Sequence, residues 1–114
     1  MDYNPVTVFR ALGDELRLAA LLLIRDRQKL CVCELTEAFR VPQPKMSRHL
    51  ATLRTAGLLE TERRGQWVYY SLDSHLPGWL DHVLDETAHN NAGLIENPRA
   101  RLQAMAGRPS VQCL

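Results

Sequence analysis

The sequence lacks the features that direct a chain into a membrane or out of the cell. Its longest apolar stretch, around Leu18 to Ile24, is far shorter than the roughly 20 residues that a membrane-spanning helix requires. The N-terminal segment MDYNPVTVF has an acidic residue and no basic region before its apolar residues, so we do not expect a secretory signal. We therefore expect a cytoplasmic protein without a membrane partner.

Cysteine is scarce, and the three that occur, Cys31, Cys33 and Cys113, are an odd number. That count does not fit a disulfide framework, and a cytoplasmic location would keep the thiols reduced. The C-x-C spacing differs from the C-x-x-C of thiol redox enzymes, and no thioredoxin-like βαβ pattern surrounds it. The sequence also lacks a glycine-rich phosphate loop and an obvious nucleophile-base pair. We therefore expect a protein that is not an enzyme.

A large excess of one charge is also missing, since the formal net charge is only +1 over 114 residues. The charges are, however, unevenly distributed. Residues 40–66 contain six Lys or Arg against two acidic residues, whereas residues 73–96 contain five acidic residues and no Lys or Arg. This distribution predicts a local positive field in the middle of the chain and an acidic helix after it.

The pattern of apolar residues and caps predicts five helices and one hairpin. The helices are expected at residues 5–12, 15–27 with Asp14 as the cap, 33–40, 43–56 and 77–91. The segments LLETER and QWVYYSL, separated at Arg64-Gly65, predict a β-hairpin. Val41 and Pro42 form the turn between the third and fourth helices, because the residue before proline is disfavoured in helical geometry.

This order of elements predicts a mainly α fold with a small β-hairpin (α+β), namely a winged helix-turn-helix of about five helices plus the wing. We expect residues 1–92 to form the DNA-binding and dimerisation domain and residues 93–114 a C-terminal tail that is partly helical or mobile. The first and fifth helices carry apolar stripes beyond the needs of one small core. They are the predicted surface of a homodimer.

The fourth helix has the distribution expected of a helix that reads DNA. Met46, Leu50 and Leu53 share one narrow arc that must face the core, and cations and small residues occupy the opposite side. Arg48 can read guanine with two hydrogen bonds, and Gln43 can pair with adenine. Together with the hairpin tip, the predicted contacts to double-stranded DNA are Gln43, Pro44, Lys45, Ser47, Arg48, Thr52, Arg63, Arg64 and Gln66.

Cys31 and Cys33 immediately precede the predicted helix-turn-helix. Residues i and i+2 point about 200° apart on a helix but lie on the same side of an extended segment. One soft ion held by both sulfurs would therefore favour an extended start of the third helix, whereas LCVCEL without the ion can continue as helix. A ligand that prefers one state shifts the equilibrium towards it. The alternative interpretation is that both are simply small buried residues.

The segments FRALGDELRLAALLLI, LCVCEL, QPKMSRHLATLRTAGLL and RGQWVYYSL closely resemble the arsenic-responsive repressors of the ArsR/SmtB family, over roughly residues 6–90. The resemblance implies a dimeric winged-helix repressor that needs no cofactor to bind its operator in an arsenical resistance operon. It also implies release from DNA when arsenite, As(III), or antimonite, Sb(III), binds cysteines. Cys31 and Cys33 would then be the ligands and Gln43–Leu53 the recognition helix.

One position departs from the family's arsenite pattern, in which a third cysteine follows the second by three residues. Thr36 occupies that position here. Arsenite favours three thiolates, so the third ligand would be Cys113, a cellular thiol or nothing. A site of two cysteines would also suit an organoarsenical that carries one methyl or phenyl group.

A zinc-responsive repressor of the same family is the alternative function. Zinc sensors in the family use Asp-x-His and, ten residues later, His-x-x-His or His-x-x-Glu. Asp73, His75, Glu86 and His89 have those spacings, with glutamate in place of the first histidine of the second pair. Imidazoles and carboxylates are suitable zinc ligands, and in a dimer such a site would lie between subunits on the fifth helix.

Overall fold

The computed structural model describes residues 3–105, which form six α-helices and three strands. In chain order these are α1 (Pro5–Leu12), α2 (Glu15–Arg27), β1 (Leu30–Cys31), α3 (Val32–Phe39), α4 (Gln43–Thr55), β2 (Leu59–Arg64), β3 (Trp67–Leu72), α5 (Gly78–Asn90) and α6 (Glu96–Ala104), with a 3₁₀ turn at Ala92–Leu94 between the last two helices. The predicted winged helix-turn-helix is confirmed: α3 and α4 form the helix pair, and β2 and β3 form the wing.

Helix α2 is the centre of the core. Its consecutive residues Ala19 to Ile24 are all buried, so the helix has neighbours on every side. Met46, Leu50 and Leu53 of α4 are fully buried, as predicted. The burial of one stripe leaves the opposite side of α4 in solvent, which is where the predicted DNA contacts lie.

The three strands form an antiparallel sheet in the order β1-β3-β2. Wing strands β2 and β3 pair from Leu59 opposite Leu72 to Arg64 opposite Trp67. The turn therefore consists of Gly65 and Gln66, one residue later than predicted, and Gly65 adopts φ +63°. The short strand β1 was not predicted, because two residues are too few to show an alternating pattern.

The core continues past position 92, where the sequence predicts the end of the domain. Helix α6 packs against α3, and its Leu102 is fully buried. The Arg101 guanidinium donates a hydrogen bond of 2.8 Å to the carbonyl of Ala38. Residues 93–104 thus belong to the folded domain, because they cover one side of α3. None of the described helices is long and apolar enough to cross a membrane.

The N-terminus of α2 provides a test of this architecture. The carboxylate of Asp14 accepts a 3.0 Å hydrogen bond from the backbone N–H of Arg17. Asp14→Ala should therefore lower the free energy of unfolding by about 1 kcal/mol, measured by urea denaturation at neutral pH and fixed protein concentration. Asp14→Asn retains an oxygen that can accept this hydrogen bond, so its free energy of unfolding should fall far less.

The same hydrogen bond from Arg17 lowers the pKa of Asp14 below its ordinary range. A depressed folded-state pKa means that the stabilisation is present above the ordinary aspartate value of about 3.9 and is lost as the pH falls through the folded-state pKa. The difference in stability between wild type and Asp14→Ala should therefore shrink below about pH 4. A difference that remains unchanged well below pH 4 would contradict the cap.

Candidate DNA-binding surface and thiol site

The outer side of α4 is open to solvent along its length. Pro42 is the N-cap of the helix and Pro44 is its second residue. Neither proline has a backbone N–H, but N–H groups in the first turn of a helix have no partner within the helix, so nothing is lost. The α4 residues of the predicted DNA set are all exposed: Gln43, Pro44, Lys45, Ser47, Arg48 and Thr52. Small side chains beside the long cation Arg48 allow the close approach that major-groove binding needs.

The turn between α3 and α4 depends on a residue for which the sequence predicted no special role. Arg40 ends α3 in the left-handed conformation, with φ 55° and ψ 47°. The chain then reverses, and the N–H of Val41 bonds to the carbonyl of Thr36 at 3.3 Å. Left-handed geometry usually favours glycine or asparagine, so an arginine offered no signal for it.

The wing tip carries the other predicted contacts, and Arg63, Arg64 and Gln66 are all exposed. Arg64 is not a lone cation, because its Nε lies 2.8 Å from a carboxylate oxygen of Glu62. Lys29 approaches the other oxygen of Glu62 at 3.0 Å. These hydrogen bonds, from Arg64 first and Lys29 second, lower the pKa of Glu62. The pairing attaches the wing to the loop before β1.

The side chains of Cys31 and Cys33 meet at the start of α3, with their Sγ atoms 3.1 Å apart. This arrangement is neither of the two backbone states expected from the sequence. Cys31 is extended at the end of β1, opposite Tyr69, and is the N-cap of α3, while Cys33 already lies in the first helical turn. The bend between strand and helix brings i and i+2 together, which a continuous helix would not.

Glu34 completes this junction. Its buried carboxylate accepts a 3.0 Å hydrogen bond from the backbone N–H of Cys31. The Cys31 side chain in turn accepts a hydrogen bond from the backbone N–H of Glu34, so the two residues form a capping box. Burial raises the pKa of the Cys31 thiol, and the nearby Glu34 carboxylate adds to the effect. The spacing Cys31-x-x-Glu34 was a signal for this cap that the sequence analysis missed.

The position of the family's third cysteine is occupied by Thr36, whose side chain forms a hydrogen bond within α3. The Thr36 hydroxyl donates to the carbonyl of Cys33 at 2.9 Å, one turn along α3. Cys113, the candidate third ligand, lies outside the described residues. Thr36 therefore stabilises the helix that carries Cys33 without offering a thiolate.

The alternative zinc residues are not assembled within one chain. His75 bonds to Asp73, with its Nδ1 3.2 Å from the carboxylate, while Glu86 accepts a hydrogen bond from Asn90 one turn further along α5. Within residues 3–105, no group of three or more His, Cys, Asp or Glu side chains is positioned to hold a metal ion. Whether facing α5 helices would complete such a site stays a prediction.

A helix pair with an exposed, cation-bearing second helix and a two-stranded wing defines a winged-helix DNA-binding protein. Solved structures agree with this class. Reduced HlyU from Vibrio cholerae is 30% identical, with a TM-score of 0.67 over 75% of this chain and 86% of that one. The transcriptional repressor BigR from Xylella fastidiosa shares the fold, at 21% identity and a TM-score of 0.63 over 75% of this chain and 83% of that one.

Residues 14–61 match the family described as "Bacterial regulatory protein, arsR family". The chain is 48% identical to the arsenic resistance transcriptional regulator ArsR2 of Pseudomonas putida, over 93% of this chain and 92% of that protein. It is 46% identical to the arsenical resistance operon repressor of Escherichia coli, over 72% of this chain and 70% of that one. The chain therefore belongs to the ArsR family of bacterial transcriptional regulators, and the predicted resemblance is confirmed.

The exposed position of Arg48 leads to a prediction about base reading. If Arg48 bonds to a base edge, Arg48→Ala should reduce discrimination at one base pair by about 1 to 3 kcal/mol, measured by competition between the operator and single-base variants. Lys45→Ala is the matched control and should weaken binding to all of these DNA sequences equally, as expected of a phosphate contact. Uniform weakening by Arg48→Ala as well would assign Arg48 to phosphates.

Proposed function

We propose that this protein is a repressor that binds operator DNA as a homodimer and leaves it when a trivalent arsenical bonds to Cys31 and Cys33. The observation that carries the proposal is the 3.1 Å separation of the two sulfurs at the first turn of α3, the first helix of the helix-turn-helix. The names of the relatives in Pseudomonas putida and Escherichia coli support arsenic as the signal. Contact with chromosomal DNA would place the protein in the cytoplasm.

Two cysteine thiols can bond to a trivalent arsenical by exchange with its hydroxides. Each thiol proton leaves with one hydroxide of arsenous acid as water, so two As–O bonds are replaced by two As–S bonds. Neither electrons nor net protons are exchanged with solvent. Zinc, by contrast, would bind the thiolates and release the thiol protons, and burial raises the pKa of the Cys31 thiol.

Bonding of both sulfurs to one atom would act on the junction between wing and helix pair. Cys31 belongs to β1, which pairs with the wing strand β3, whereas Cys33 moves with α3, which packs on α4. A bridging arsenic atom fixes the distance and angle between these two parts. The ligand favours whichever arrangement suits its bond angles, and operator release follows if that arrangement fits DNA less well.

The donor set bears on which arsenical induces. An organoarsenical with one carbon substituent has two exchangeable hydroxides, so Cys31 and Cys33 alone would complete its coordination. Arsenite and antimonite have three, and a third thiolate would have to come from Cys113 or from a small cellular thiol. Thr36, engaged with the carbonyl of Cys33, offers no thiolate.

The homodimer is supported by an apolar surface on α1 and α5. Val6, Phe9 and Trp79 are 58%, 50% and 43% exposed, although all three are large apolar residues. The rings of Phe9 and Trp79 touch, with centroids 6.3 Å apart, so the two helices present one continuous patch. Burial of this patch against a second copy would stabilise a dimer by the hydrophobic effect.

The thiol pair can be tested by fluorescence anisotropy on promoter DNA. The variant with both Cys31→Ser and Cys33→Ser should bind the operator normally, because serine preserves the cap, and should no longer be released by arsenite or by a trivalent organoarsenical. Cys113→Ser is the matched single change. If Cys113 is the third ligand, this variant should be released less readily by arsenite but as readily as wild type by the organoarsenical.

Normal induction of the double variant would remove the thiols from the mechanism. Release of wild type by zinc but not by arsenicals would instead favour the site of Asp73, His75, Glu86 and His89 on facing α5 helices.

The dimer surface has its own test in sedimentation equilibrium. Trp79→Asp should raise the dissociation constant of the dimer by about tenfold or more, because a carboxylate would be buried without a partner. Gln103→Asp adds the same charge on the exposed side of α6 and should leave association unchanged. Equal dimer stability in both variants would place the interface elsewhere.

A further inference from the structure

Helix α4 stands as a ridge between two clefts. The first, of about 440 Å³, lies between α4 and the first two helices and is lined by Thr7, Arg10, Arg17 and Thr52 among others. The second, of about 320 Å³, lies between α4 and the wing strand β3 and is lined by Ser47, Arg54 and Tyr70. Ala51 and Thr55 line both clefts, so they form the crest of the ridge.

Both clefts are suited to an anion. Their described lining residues supply guanidinium and hydroxyl groups, and none carries a carboxylate. Within residues 3–105 neither Arg10 nor Arg54 forms an ion pair, whereas Arg25, Lys29, Arg64 and Arg99 are each paired with an acidic side chain. The cations beside α4 thus remain available to a negatively charged ligand.

Arg17 holds the first cleft in shape. Its guanidinium bonds to the carbonyls of Ala11 at 2.7 Å and Arg10 at 3.3 Å, and reaches Nδ1 of His49 on α4 at 3.3 Å. These contacts connect the end of α1 to the recognition helix. The backbone of Arg10 is therefore held in place on one wall of the cleft, and its exposed side chain extends from that wall.

We infer that the two clefts seat the two sugar-phosphate strands that border the major groove occupied by α4. This inference rests on the proposed operator binding. A helix with its side chains is about 10–12 Å across, and the major groove is about 12 Å wide, so the strands must run along both sides of the helix. Arg10 and Thr7 contact one strand, and Arg54 and Tyr70 contact the other.

The consequence is that α1 has a role in DNA binding as well as in the proposed dimer. Val6 and Phe9 lie on one side of α1, and Thr7 and Arg10, each one residue further, are rotated by about 100° towards the cleft. One short helix therefore presents an apolar face to the second subunit and a cationic face to DNA. A change in dimer geometry would move Arg10 relative to the phosphates.

The test is the salt dependence of binding, by fluorescence anisotropy on promoter DNA and on a scrambled duplex over a series of KCl concentrations. Arg10→Gln and Arg54→Gln should each weaken binding to both duplexes by roughly tenfold. The slope of log K against log salt should become less steep by about 0.9 for each phosphate that the variant no longer neutralises, and by twice that in a homodimer. Arg99→Gln is the matched control, because it removes the same charge from an exposed arginine of α6 that lines neither cleft and is paired with Asp26.

Each outcome decides the inference. If Arg10→Gln and Arg54→Gln match Arg99→Gln while wild type binds DNA, the clefts do not hold phosphates. A loss of affinity confined to the operator would also overturn the inference, because it would indicate base reading. Failure of the proposed function is distinguishable, since it would appear in wild type as no preference for the promoter or no release by arsenicals, with the salt slopes still measurable on any duplex. Thermal unfolding of each variant checks that these exposed substitutions leave the fold intact.

Discussion

The burial of α2 on every side is the constraint on which the rest of the structure depends. Leu21, Leu22, Leu23 and Ile24 are consecutive and at most 2% exposed, so α1, α4 and β3 must all pack around this helix. Removing one such side chain would cost about 2 to 5 kcal/mol, a large part of the stability of a small domain.

Helix α3 is packed into the core through Leu35 and Ala38, and its two ends are held differently. At its C-terminal end, Arg101 of α6 bonds to the carbonyl of Ala38, and the left-handed Arg40 starts the turn to α4. At its N-terminal end, the cap is formed by Cys31 and Glu34, with Cys33 in contact. A ligand on the sulfurs, as proposed, would act at the end of α3 that joins the wing, whereas the contacts of Arg101 and Arg40 lie at the opposite end. This asymmetry explains how a small bond rearrangement could alter the relation between wing and recognition helix.

The helices were predictable because their signals are local. Asp14 caps α2 with its own side chain, Pro42 and Pro44 define the start of α4, and the stripe of Met46, Leu50 and Leu53 follows from helical periodicity alone. The contact between the two thiols was not predictable in this way. It requires β1 to end at Cys31, and β1 exists only because Tyr69 and Tyr70 on the distant strand β3 pair with it. Helix α6 was likewise missed as part of the core, since its burial depends on packing against α3.

The sequence by itself determined the order of α1 to α5 and the hairpin, the winged helix-turn-helix class, the exposed side of α4 and the presence of two cysteines just before it. These properties depend on residues a few positions apart, for which caps, turns and periodicity are sufficient. Only the tertiary structure decided that the sulfurs meet, that Arg10 and Arg54 lack a carboxylate partner in residues 3–105, and that clefts flank the recognition helix. The clefts are lined by residues from distant positions, and Cys31 and Cys33, although only two residues apart, meet because β1 ends where it pairs with the distant strand β3.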